Sequence, residues 1–191
     1  EPDIGSLESP MLSSSSTEPL PPYSYVPGGP WPHPLSSPRG HSFGYRRPKV
    51  EPAAAGQESR SPSFLRGVEL FNAGYYWEAH EVWEGLWHAH GRRGATAEVL
   101  KALIKLAAAG VKVREGQEHG VRTHARRAGE SLALARQQGG PFQLGLDLDQ
   151  WIDRAHDLAD NPPSDRGMPD APVVRVFAFQ IEIDDSGTKR K

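Results

Sequence analysis

The residues best suited to chemistry lie in the stretch YYWEAHEVWEGLWHAH (75–90), which holds three of the five tryptophans and three of the eight histidines. His80 and Glu84 are four residues apart, so on a helix their side chains can touch. On a helical wheel both lie at the edge of an apolar arc, between Trp87 and Trp77. An imidazole beside a carboxylate in a partly dry site can share a proton. We therefore expect this pair to line an internal polar site and treat it as the candidate acid–base pair.

The same stretch also offers metal ligands. It resembles half of the zinc-binding helix in which His at i and i+4 hold the metal, but the second ligand position here is Glu84. Imidazole and carboxylate both suit divalent zinc or iron. Spacing does not fix a third ligand: we assign His88, and the alternatives are His33, His41, His119 and His124. A hydrogen-bonded His80–Glu84 pair that only fixes helix register is the structural alternative.

Five helical segments must position these residues, so we predict an all-α fold, a compact array of four to five helices. The first segment begins near Ser61-Pro62 and ends at Gly74, which are typical start and stop signals. The third is the most clearly amphipathic. The later segments are expected at about 75–89, 95–115, 118–138 and 148–159. The expected core residues are Trp83, Trp87, Leu103, Ile104 and Ala107, whereas Glu78 lies farthest from the apolar arc of its helix.

The flanking regions differ in composition from the helical domain, which we place at 61–160. Residues 1–60 hold twelve of the eighteen prolines. We expect a disordered tail at 1–20 and an extended Pro- and aromatic-rich segment at 21–60, of which 21–48 could cover a groove. Residues 161–191 should contain a loop, a strand-like segment at 173–183 and a tail. A lone strand cannot satisfy its backbone, so it must pair with the N-terminal segment, pair with another subunit, or lie on the helices without a sheet.

Composition narrows the functional classes. The hydrophobic fraction of 37% suggests that part of the chain does not join a core, and the net charge of −2 gives no bias toward nucleic acid or anionic membrane. There is no cysteine, no apolar run long enough for a bilayer and no intact secretory signal, which favours a cytoplasmic protein. The first residue is not Met, so we expect a processed or partial chain. Basic residues on the third and fourth segments could contact phosphates, but a solvated face is the simpler interpretation: Lys101, Lys105, Lys112, Arg122, Arg126 and Arg127.

Two blocks of the sequence resemble a bacterial family, the domain of unknown function 309. They are LFNAGYYWEAHEVWEGLW (70–87) and LKALIKLAAAGVKVREGQEHGVRTHARRA (100–128), and the likeness extends over about 62–136. The family pattern is approximately Phe-Asn-x-Gly-x-Tyr/Phe-Phe-Glu-x-His-Glu-x-x-Glu-x-x-Trp. The matching positions are Phe71, Asn72, Gly74, Tyr76, Trp77, Glu78, His80, Glu81, Glu84 and Trp87.

The resemblance implies a small helical array and assigns no activity, but it suggests that the His80–Glu84 site is a family feature. Lys105 stands where a Gln is expected, which would make a polar site more cationic and less suited to a metal. We favour a binding or interaction module for a small molecule or peptide, and a homo-oligomer is possible. The expected binding residues are Asn72, Trp77, Glu81, Trp87 and Lys105. The alternatives are a metal-dependent hydrolase using His80 and Glu84, and a nucleic-acid-associated protein, which the charge makes unlikely.

Overall fold

The computed structural model describes residues 18–45 and 49–184. Most of the tail expected at 1–20, and the last residues from 185 onward, lie outside this part. The all-α prediction is confirmed, with helices close to the expected positions. They are α1 (Pro62–Ala73), α2 (Tyr76–Ala89), α3 (Ala95–Glu115), α4 (Glu118–Gly139) and α5 (Leu148–Asp160), preceded by a short 3-10 helix (Glu58–Arg60).

The α1–α2 hairpin is defined by its end groups. Ser61 caps α1 by accepting a hydrogen bond from the Phe64 N–H at 3.5 Å. Gly74 ends α1 with φ 94°, a left-handed conformation that favours glycine. Because α2 begins only two residues later, the two helices lie side by side. This places the start of α2, with Trp77 and Glu78, next to the end of α1.

The core lies along α3, which packs between α2 and α4, while α5 packs on α4. Trp83 is fully buried and its Nε1 donates to the Phe64 carbonyl at 3.2 Å. Gly67 leaves room for this ring, since a Cβ there would overlap the Trp83 indole. Of the expected core residues, four are buried and Trp87 is half-buried against them. The four are Trp83, Leu103, Ile104 and Ala107.

A short β-hairpin that the sequence reasoning did not predict joins α4 to α5. β1 (Phe142–Gln143) pairs antiparallel with β2 (Leu146–Asp147). The two turn residues have positive φ, 52° at Leu144 and 73° at Gly145, as a tight hairpin turn requires.

Residues 173–184 lie on the helices without joining a sheet, the third of the expected arrangements. Side chains of the first two helices take the place of a partner strand. The Tyr76 hydroxyl accepts from the Val176 N–H at 3.0 Å. Asn72 accepts from the Ile181 N–H at 2.7 Å and donates to the Ile181 carbonyl at 2.9 Å. A strand-like composition here therefore produces a segment held by side chains.

The N-terminal segment also lies against the helices, and we call residues 18–45 the strap. It contacts the end of α1 and the start of α2, where the Tyr75 hydroxyl donates to the Pro21 carbonyl at 2.8 Å. Farther along, the Ala53 N–H donates to His90 Nε2 at 3.3 Å, near the end of α2. Among the described residues, no helix is both long and apolar enough to cross a membrane.

Candidate functional site

Three residues of α2 form a compact group of metal-binding side chains. His80, Glu81 and Glu84 each offer one ligand atom, and these atoms all lie within 4.8 Å of one another. We call these three residues the α2 triad. It is the one such group of three or more within the described part of the chain. Helical geometry explains the position of Glu84, which is four residues after His80 and three after Glu81 and so shares a face with each.

The triad is partly shielded from water and incompletely hydrogen-bonded. The side chains of His80 and Glu81 are 29% and 20% exposed. His80 Nδ1 is itself buried and has no hydrogen-bond partner among the described residues. Glu81 Oε1 lies 3.7 Å away, which is too long for a hydrogen bond. A buried nitrogen left in this state is destabilising unless a ligand or solvent satisfies it.

His124, on α4, contributes a second buried imidazole nitrogen without a hydrogen-bond partner among residues 18–45 and 49–184. Its pKa is lowered to about 4, first by burial and then by the positive charges of Lys105 and Lys112, with smaller contributions from Arg127 and His80. His124 is therefore neutral near pH 7. Lys105 of α3 and His80 of α2 are thus near enough to His124 to disfavour its protonated form.

Lys105 differs from the other lysines of α3. Lys101 pairs with Glu98 at 3.3 Å, and Lys112 pairs with Glu115 at 2.6 Å. Lys105 makes neither an ion pair nor a hydrogen bond with any described residue. It is half-buried, and its positive charge acts on His124, as His80 of the triad also does.

The two flanking tryptophans have different surroundings. Trp87 is half-buried, and its buried Nε1 has no partner in the described part of the chain. His88 is exposed, packs edge-on against the Trp87 ring at 5.3 Å and is not a member of the triad. Trp77 instead faces the strap, with its ring 5.4 Å from Tyr25 and 5.3 Å from His33.

Two residues singled out from the sequence bond to the segments that flank the helical domain. Asn72 holds the tail through Ile181 rather than facing the triad. Glu78, placed farthest from the apolar arc, is only 6% exposed because the strap covers it. A wheel describes one helix and cannot show a covering segment. The aromatic content of 21–48 indicated that this segment docks on the domain, but it did not indicate that the segment binds the carboxylate of Glu78.

The other histidines considered as third ligands lie away from the triad. His33 Nδ1 accepts from the Leu35 N–H at 3.2 Å. His41 Nε2 lies 3.3 Å from Glu78 Oε1. His119 is exposed at the start of α4.

The basic surface of α3 and α4 is partly neutralised by internal pairing. In addition to the two lysine pairs, Arg122 bonds to Glu118 at 2.8 Å and donates to the carbonyl groups of Ala159 and Asp160 at 2.6 and 2.9 Å. These carbonyls end α5, so Arg122 acts as a cap between helices. This pairing supports the interpretation of a solvated face.

A wide concavity of about 2060 Å³ lies elsewhere, between α1, the β-hairpin, α5 and residues 175–184. Its walls mix Arg154 and Arg175 with Glu182. They hold no group of metal-binding side chains comparable to the α2 triad among the described residues. We therefore place the candidate functional site at the α2 triad rather than in this concavity.

A family model described as Domain of unknown function (DUF309) matches residues 64–124. This confirms the resemblance inferred from the motifs. The matched part contains the α2 triad, Lys105 and, as its last residue, His124, whereas the strap and the tail lie outside it. No curated protein matches the chain.

Proposed function

We propose that the protein is a binding module whose α2 triad holds a divalent metal ion and, through it, a small anionic ligand. The proposal rests on one observation: His80, Glu81 and Glu84 bring their ligand atoms within 4.8 Å of one another. A buried imidazole nitrogen without a hydrogen-bond partner within the described ranges supports it. One imidazole with two carboxylates suits zinc, iron or manganese.

The chemistry of the ligand follows from charge. The two carboxylates would offset the charge of the ion, and three protein ligands leave room for a further ligand. Lys105 would disfavour a bare cation, but its positive charge, which no described residue pairs, would favour a carboxylate or phosphate group on the ion over a neutral molecule. We therefore expect the anion to bind the metal-loaded protein and to bind it less well after Lys105→Gln.

Metal content gives the direct test. Untagged protein should carry or take up close to one equivalent of zinc, manganese or iron, measured by elemental analysis and calorimetric titration. His80→Gln should weaken binding at least tenfold, since one of three ligands is lost. His119→Gln is the matched control, because His119 is exposed and lies outside the triad. Absence of binding to the folded parent protein, or equal binding by His80→Gln, would refute the proposal.

Metal-dependent hydrolysis is the second candidate. A metal held by three protein ligands keeps a position for water, and this arrangement is common in hydrolytic sites. Here His80 and Glu84 would act as ligands rather than as an acid–base pair. Ester and phosphoester cleavage should then require added metal and be lost in Glu84→Gln. Stoichiometric metal binding without any cleavage would exclude hydrolysis and leave the binding module as the remaining candidate function.

A further inference from the structure

The strap is held to the domain through its main chain. Arg66 donates to the carbonyl groups of Glu18 and Pro19 at 2.9 and 2.8 Å. The Tyr75 hydroxyl donates to the Pro21 carbonyl at 2.8 Å. Carbonyl groups are present in every peptide. These hydrogen bonds therefore depend on an extended backbone conformation rather than on the side chains of the strap.

The carboxylate of Glu78 forms the centre of the contact. It accepts hydrogen bonds from the Ser24 hydroxyl and the Tyr25 N–H, both at 2.9 Å. His41 Nε2 lies 3.3 Å from the same carboxylate, and the side chains of Glu78 and His41 are each 7% exposed. A charged acceptor with several donors forms stronger bonds than a neutral one. Glu78 is therefore the residue on which docking should depend most.

Aromatic rings supply the apolar part of the contact. Trp77 packs edge-on against Tyr25 at 5.4 Å and against His33 at 5.3 Å. Within the strap, Tyr23 stacks on Trp31 at 5.2 Å, so the segment brings its own small aromatic cluster. Prolines keep such a segment extended before it binds and so reduce the entropy lost on docking.

The docking residues and the strap belong to different parts of the chain. Arg66, Tyr75, Trp77 and Glu78 all lie within the matched residues 64–124, but the strap does not. These four residues thus belong to the part that the family model matches. The strap does not, nor does Pro172, whose carbonyl accepts from the Ser24 N–H at 2.8 Å. A surface with this chemistry is suited to receive other peptides that resemble the strap.

We propose that the groove formed by Arg66, Tyr75, Trp77 and Glu78 recognises extended peptides that contain proline and tyrosine, and that the strap occupies it as a tethered ligand. A short tether gives an effective concentration of about 1 mM. A free peptide with a dissociation constant of about 1 μM would then be excluded almost completely from the intact chain. Binding of a partner requires release of the strap.

The experiment uses the full chain with a specific protease site placed between residues 45 and 49. After the folded protein is cut, a labelled synthetic peptide of residues 18–45 is added and its binding is followed by fluorescence anisotropy. The labelled peptide should replace the cut strap and saturate, whereas the uncut protein should bind it at least tenfold more weakly. Glu78→Gln in the cut protein should weaken peptide binding at least tenfold. Glu130→Gln, an exposed change on α4, should leave it unchanged.

Several results would overturn the proposal. A cut strap that leaves only when the helices unfold would make it a structural part of the fold. A strap that leaves without the peptide taking its place, or equal binding to the Glu78→Gln protein, would show that the groove does not recognise it. A dimer that exchanges straps only between copies would make a second copy the occupant. Each measurement is made with chelator present, so the result does not depend on the proposed metal site.

Discussion

Glu78 and Glu84 lie on the same helix, but their polar surroundings differ. Glu78 is buried under the strap and receives hydrogen bonds from Ser24 and Tyr25. Glu84 belongs to the triad, where His80 Nδ1 has no hydrogen-bond partner among the described residues. Buried polar groups whose hydrogen bonds are all formed help to specify a fold. Buried polar groups that lack a partner are destabilising unless a ligand supplies one.

The comparison assigns different roles to the two faces of α2. On the strap face both carboxylate oxygens of Glu78 receive hydrogen bonds within the chain, so its residues should matter mainly for stability and for the exchange of the strap. The triad face is incomplete, so its residues should matter mainly for a bound ligand. Mutations that separate stability from binding can therefore test the assignment.

The largest effect is expected from Trp83→Ala, because Trp83 supports both faces. Its side chain is fully buried, and its indole N–H is bonded to the Phe64 carbonyl. Removing a buried aromatic side chain lowers the free energy of unfolding by about 3–5 kcal/mol. Urea denaturation measures the change, and both strap docking and metal binding should weaken with it. A loss below about 1 kcal/mol would mean that this ring does not seat α2.

A matched pair of substitutions separates the two faces. Glu78→Gln replaces one carboxylate oxygen with an NH2 group, which would oppose the donor of either Ser24 or Tyr25, so we expect a loss of about 1–3 kcal/mol in unfolding free energy. Glu84→Gln removes a charge from the half-buried triad and should change metal-free stability by less than about 0.5 kcal/mol. Thermal and urea unfolding in chelator give both values. The reverse order of effects would contradict the assignment.

Trp77→Leu tests whether the two faces communicate. It removes the ring contacts with Tyr25 and His33, and aromatic contacts of this kind contribute about 0.5–1.5 kcal/mol each beyond burial. The strap should therefore exchange faster, measured by hydrogen exchange of its amides. Metal affinity should change less than threefold, since Trp77 supplies no ligand atom to the triad. A larger change would show that strap and site are coupled.

The helices could be predicted from the sequence because their signals are local. Ser61 and Gly74 mark the ends of α1 in the sequence and do so in the structure. Spacing on one helix also brought His80 and Glu84 to one face, and the structure adds Glu81 to the group. A helical period is fixed by backbone geometry, so such predictions need no knowledge of the rest of the chain.

The remaining features depend on contacts between distant residues. Glu78 is buried by a segment more than fifty residues away, at Ser24 and Tyr25. The segment at 173–184 forms no strand because Asn72 and Tyr76 take its backbone bonds. Tertiary contacts of this kind decide where a polar group lies and whether an apolar run becomes a strand, and the local pattern does not contain them.

The smallest expected effect is that of His124 on the pH dependence of folding stability. Its pKa of about 4 in the folded protein lies below the usual 6.5, mainly because of burial and of the charge of Lys105. The unfolded chain then binds more protons between about pH 4 and 6.5, so stability falls as the pH drops through this range and is unaffected by His124 above it. His124→Gln should remove this part of the pH dependence of stability. It is measured from the melting temperatures of both proteins across this pH range, because the contributions of all other titratable groups cancel in the difference. Because His124 is partly exposed, the difference should be small. Equal pH dependence of stability in both proteins would mean that the His124 ring is more hydrated than its burial in the structure implies.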